Sequence, residues 1–151
     1  MGFETIVIIL QTVGPFTVLV TVYFLVTELK EQNRVARANA RQNMADSHQK
    51  LTLAGLNKDI VKIKIKLKKS EELTEEEESI YLTHFSAILR ARQNQHYQYT
   101  IGMLDEEEWI AMLSSFRTLL RDKKNLEIWD WVAPTFPKDF VKLVEEQRNK
   151  I

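Results

Sequence analysis

Cysteine is absent from the 151 residues, which excludes a disulfide framework, thiolate metal sites and a cysteine nucleophile, and agrees with a reducing compartment. Glycine is scarce, four in all, and supplies neither a Gly-rich phosphate loop nor a Gly-x-Ser-x-Gly elbow. Histidine is scarcer still. His48, His84 and His96 have no second histidine or carboxylate three or four residues away, so no helical metal-ligand pair exists and no cofactor is expected. His84 and His96 also diverge by about 120° around one helix, too far to chelate together. Neither sign of charge dominates, with 21 basic and 21 acidic side chains, so the positive excess that marks a nucleic-acid partner is missing.

Charge is also missing locally. No charged residue lies between Glu4 and Glu28, and Ile, Val, Leu and Phe dominate that stretch. A helix over residues 5–27 rises on the order of 30 Å, the thickness of a hydrocarbon core, and is read as one membrane span. A cleaved signal peptide fits less well, because no Lys or Arg precedes the apolar run and no small-x-small site follows it. Pro15 leaves the Gln11 carbonyl without its helical donor, which predicts a kink. Gly14, Thr17 and Thr21 share a face where a second helix could pair. Lys30, Arg34, Arg37 and Arg41 follow the span and nothing basic precedes it, so the N-terminus is expected outside and the remainder in the cytosol.

Beyond the span, residues 30–54 hold no Gly or Pro and are expected to continue as a stalk, with Ala36, Ala40, Met44, Ser47 and Leu51 facing the protein's own domain. Residues 30–69 carry eleven basic side chains against three acidic ones; from Ser70 onward, ten basic face sixteen acidic. A cationic segment near anionic lipid gains about 1 kcal/mol per Lys or Arg, so Lys30, Arg34, Arg37, Arg41, Lys62, Lys64 and Lys66 are the candidate lipid contacts. The run from Val61 to Lys68 alternates with period two, as a strand does. No second strand candidate exists to pair with it, so a short helix or an irregular amphipathic segment is expected.

The rest reads as short helices. Thr74 with Glu77 forms a capping box ahead of residues 75–101, and Gly102 suits a left-handed stop. Asp105 with Glu108 is a second capping box, opening a helix that shows Trp109, Met112, Leu113, Phe116, Leu119 and Leu120 on one face. A turn is expected at residues 122–125, then a helix through Leu126, Ile128, Trp129 and Val132 that Pro134 stops, then a last helix starting at Pro137. Trp109, Trp129, Trp131, Phe136 and Phe140 are expected in the core. The fold class is therefore all-α: an anchor over residues 1–29, a stalk over 30–56 and a helical bundle over 57–151.

Several elements resemble a family of small bacterial proteins of unknown function with one N-terminal span and a helical cytosolic domain. They are Arg34-Val-Ala-Arg-Ala-Asn-Ala-Arg-Gln, Leu73-Thr-Glu-Glu-Glu, Gln98-Tyr99-x-x-Gly102-x-Leu104-Asp105-x-x-x-Trp109, Trp129 and Phe136-Pro-x-x-Phe140. The resemblance implies a bacterial inner membrane and no assigned activity. No catalytic motif is present, so a non-enzymatic interaction module is expected, with the bilayer and a protein, or a second copy paired through the span, as partners. One stretch stands apart: Arg90 to Tyr99 is polar inside a helix that should be central. Arg92, Gln95, His96 and Tyr99 could line a ligand or partner face. The alternative is a packing network in which Arg92 meets an acidic neighbour.

Overall fold

The computed structural model describes residues 2–151; the side chains at 5, 6, 9, 10 and 12, which belong to the expected span, lie outside that description. Six α-helices and one 3-10 turn follow in order, and no strand occurs among the described residues: α1 (Phe3–Gly55), α2 (Lys58–Lys68), α3 (Glu75–Thr100), α4 (Glu106–Leu120), α5 (Lys123–Val132), the turn Ala133–Thr135, and α6 (Lys138–Arg148). The all-α expectation holds. The chain divides into two compact units, Met1–Asn39 and Ala40–Ile151, and the division falls inside the expected stalk at residue 39 rather than at its end.

The first unit is helical. Phe16, Leu19, Tyr23 and Phe24 are all exposed, and none of the most apolar window of α1 is buried, whereas a core helix of a soluble protein hides its apolar face. The helix is long and apolar enough to cross a membrane. Three of its hydroxyls are satisfied locally: Thr17, Thr21 and Thr27 donate to the carbonyls of Val13, Thr17 and Tyr23 at 3.0, 2.8 and 2.9 Å.

In the second unit the end of α1 shows Ala40, Met44, Ser47, Leu51 and Gly55 half-buried at spacings of three and four, with Met44 against the core; Ala36, expected on this stripe, is exposed. The alternating lysine run is helix α2. Its inner face is Ile60, Ile63 and Leu67, spaced i, i+3, i+7; on a helix every second residue cannot face one way, so Val61 and Ile65 turn outward. Ser70 closes this helix with φ 56°, the left-handed conformation usually given to glycine. Glu71 N–H bonds back to the Lys66 carbonyl at 2.9 Å.

The expected capping box at Thr74 and Glu77 forms, and Gly102 ends α3 with φ 74°. The box expected at Asp105 does not form, although α4 begins where expected: Asp105 makes no side-chain cap bond and instead accepts from Arg41, sixty-four residues away. The expected turn at 122–125 is shorter. Asp122 caps Lys124 N–H at 2.9 Å, and Asn125 is already a buried member of α5.

Ile63, Phe85, Leu89, Phe116, Leu120, Trp129, Phe140 and Val144 form the fully buried centre. Trp129 meets Phe140 edge-on at 6.1 Å and donates its indole N–H to Glu145 at 2.7 Å. Trp131, expected beside it, is 70% exposed. Two residues on a helix are about 200° apart, so Trp129 and Trp131 occupy opposite faces.

Candidate functional site

The polar stretch of α3 is half-buried, as its central position requires, but it does not converge on one site. The Arg92 guanidinium donates to Gln95 Oε1 at 2.8 Å, its Nε is buried without a partner, and burial holds it below the usual arginine range. The acidic neighbour expected for Arg92 is thus replaced by a neutral amide. Tyr99 stacks flat on Trp109 with ring centroids 4.6 Å apart, which makes it a packing residue.

His96 faces elsewhere. It rests between Trp109 and Phe140 at 5.5 and 6.1 Å and lines a cleft of about 360 Å³ between α3 and the start of α6, with Gln93, Tyr97, Thr100 and Asp139. Burial lowers its pKa below the ordinary histidine value, and the Asp139 carboxylate pulls it partly back. Of the four residues expected to share a face, only His96 lines the cleft. Arg90 borders it too: its guanidinium lies 4.0 Å from the Phe136 ring centroid and bonds Thr135 at 3.2 Å, fastening α3 to the 3-10 turn.

The basic residues expected to meet lipid also separate. Lys30 and Arg37 are exposed, and Arg34 is exposed while bound to Glu31 at 2.6 Å. Arg41 instead ties α1 to the start of α4 through Asp105 and Glu108. Lys66 is half-buried on Glu77 at 2.7 Å, which, with the Thr74 N–H, holds that carboxyl below the usual range. Lys64 Nζ lies 3.5 Å from where a Gly55 side chain would begin, turned toward α1. Only Lys62 of that trio belongs to the outer face of α2, where Val61 and Ile65 (38% and 48% exposed) sit among Lys58, Lys62, Lys68 and Lys69.

A second surface was not singled out by sequence patterning. Trp131 lies with Leu82 and Ile128 in a groove of about 400 Å³ between α3 and α5, framed by Glu75, Glu78 and Glu127. Lys124 spans the frame, 2.6 Å from Glu78 and 3.9 Å from Glu127. The signal that could have found it is the Trp129-x-Trp131 spacing, which places one indole outward whenever the other is in the core.

Among the described residues no group of three or more His, Asp or Glu is placed to hold a metal ion. Compared with protein-family models, curated proteins and solved structures, the chain finds no match.

Proposed function

We propose that this chain is a single-pass anchored interaction module at the cytosolic face of a bacterial inner membrane, with no catalytic activity of its own. The observation that carries this is the apolar surface of α1, none of whose most apolar window is covered by protein. Lipid is the solvent that such a surface matches. Lys30, Arg34 and Arg37 lie within ten residues of the span and would sit at the inner leaflet, in keeping with the positive-inside rule. The resemblance to small anchored bacterial proteins points the same way. Pairing of spans through Gly14, Thr17 and Thr21 belongs to the same reading; space beside Gly14 is open.

The cysteine-free sequence provides a direct test. A Gly2→Cys chain in intact cells should react with a membrane-impermeant maleimide, and an Asn149→Cys chain should react only after lysis. Labelling of the second variant in intact cells would reverse the topology; labelling of both or neither would remove it.

A second reading rests on the His96–Asp139 cleft, whose mixed polar lining suits a small ligand. A metabolite thermal-shift screen tests it: a stabilising hit lost in His96→Gln and Asp139→Asn chains that remain folded supports a sensor.

A further inference from the structure

We propose that the outer face of α2 docks into the Trp131 groove of a second copy of this chain, so that anchored copies associate head to tail. The proposal rests on the membrane-anchored reading, and it names the partner.

Two surfaces of the domain carry apolar side chains that its own core leaves exposed. The first is the outer face of α2, where Val61 and Ile65 lie about 160–200° around the helix from the buried Ile63. Lys58, Lys62, Lys68 and Lys69 surround them. The alternating pattern thus produces two apolar faces, one for the protein's own core and one directed away from it. The second is the groove, where Trp131, 70% exposed, lies with Leu82 and Ile128 inside a frame of Glu75, Glu78 and Glu127 that the single cation Lys124 bridges. One surface is aliphatic within a basic border, and the other is aromatic and aliphatic within a border of three carboxylates and one lysine, which keeps an acidic excess. Each offers what the other lacks, and a lysine over the Trp131 face would add a cation–π contact.

Their placement favours exchange between copies. Both lie at the N-terminal end of α3: α2 is fixed there by the Lys66–Glu77 ion pair, and Glu75, Glu78 and Leu82 line the groove. Around α3, Glu75 and Leu82 stand about 140–160° from Glu77 and Glu78 about 100°, so the two surfaces face different sides of α3, while the end of α2 at Leu67 and Ser70 reaches the groove's rim at Glu75, Glu78 and Glu127. Unlike, separate surfaces give a heterologous contact, which closes into a ring or continues as a row. Confinement to one membrane plane raises the effective concentration, so a weak contact suffices.

The test uses the full chain, in which introduced cysteines are the only thiols. One pool carries Lys68→Cys at the edge of the α2 face, another carries Ser79→Cys in the groove, and both are co-expressed in native membranes and treated with a short bis-maleimide. Cross-linked dimer between the pools is expected, and a chain carrying both cysteines should give a ladder beyond the dimer. Lys58→Glu with Lys62→Glu in the first pool should lower the yield at least tenfold, and Glu75→Lys with Glu127→Lys in the second should restore it. Far-UV circular dichroism checks folding; Lys58→Gln with Lys62→Gln is the milder substitute where the reversal unfolds. An unchanged yield after charge reversal, or failure of the restoring pair in a folded chain, would overturn the proposal. So would charge reversal that releases the domain from anionic vesicles yet leaves the cross-link intact, because lipid would then be the occupant of the α2 face. Carbonate-washed membranes keep the two ideas apart: chain missing from the pellet defeats the anchored reading, whereas chain present without cross-link defeats this one alone.

Discussion

Replacing Asn125 by leucine should destabilise the domain far more than the loss of one surface amide would. The residue is 4% exposed, accepts from the Tyr81 hydroxyl at 2.8 Å and donates to the Leu119 carbonyl at 2.8 Å. It thereby joins α3, α5 and the last turn of α4, where carbonyls lack helical donors. The Leu119 carbonyl keeps a backbone donor in Asp122 at 3.4 Å, so its loss is partial; the buried Tyr81 hydroxyl loses its acceptor. One unsatisfied buried group costs about 1–3 kcal/mol and a lost hydrogen bond about 1, which gives about 2–4 kcal/mol for Asn125→Leu. Tyr81→Phe should cost about 1–2 kcal/mol, and the double variant about 1 kcal/mol less than the sum. At about 4 °C per kcal/mol for a domain of this size, thermal melts of the full chain in detergent resolve these differences. The same pair predicts an alkaline transition. Burial first, and then the Asp122 carboxylate, push the Tyr81 phenol up to about 12, so the folded state keeps a proton that the unfolded state releases above 10.0. Stability should fall between those values in the native chain and much less in Tyr81→Phe. Strictly additive effects with an unchanged alkaline profile would refute the network.

Trp129→Ala should cost about 3–5 kcal/mol, whereas Trp131→Ala should change the stability by less than about 0.5 kcal/mol while lowering inter-chain cross-linking. Near-UV circular dichroism of the two variants checks the first contrast. Ser70→Gly should stabilise by about 1 kcal/mol in a urea titration, because glycine adopts the left-handed turn without strain. Acid should weaken the domain through His84 and His96, whose pKa values are lowered from 6.5 by burial, with Lys64 adding to the effect at His84 and Asp139 opposing it at His96. The unfolded chain then binds more protons as pH falls below 6.5, so stability declines over that interval and levels off below the folded values. Melts of His84→Gln and His96→Gln should show a flatter acid limb.

Local signals were the legible ones. The Thr74–Glu77 box and Gly102 mark the ends of α3 because caps act within one turn of chain, and the absence of a pairing strand correctly outweighed the alternating lysines. What escaped was decided by distant residues. Asp105 resembles a cap, but Arg41 takes its carboxylate from sixty-four residues away. Arg92 has only Gln95 as a side-chain partner, and Lys66 is taken by Glu77 across the α2–α3 junction. The candidate site dispersed for the same reason: only His96 of the expected four reaches the cleft, which is completed by Asp139 on another helix. Trp131 misled because composition counts an indole as core, while helical phase turns it outward.

Alkaline-carbonate fractionation of lysed native cells bears most directly on what α1 is for. With a lipid-covered span the full chain stays in the pellet, and a Leu19→Arg/Val22→Arg variant moves toward the supernatant. Recovery of the unaltered chain as a soluble, dispersed species after high-speed centrifugation would contradict the account.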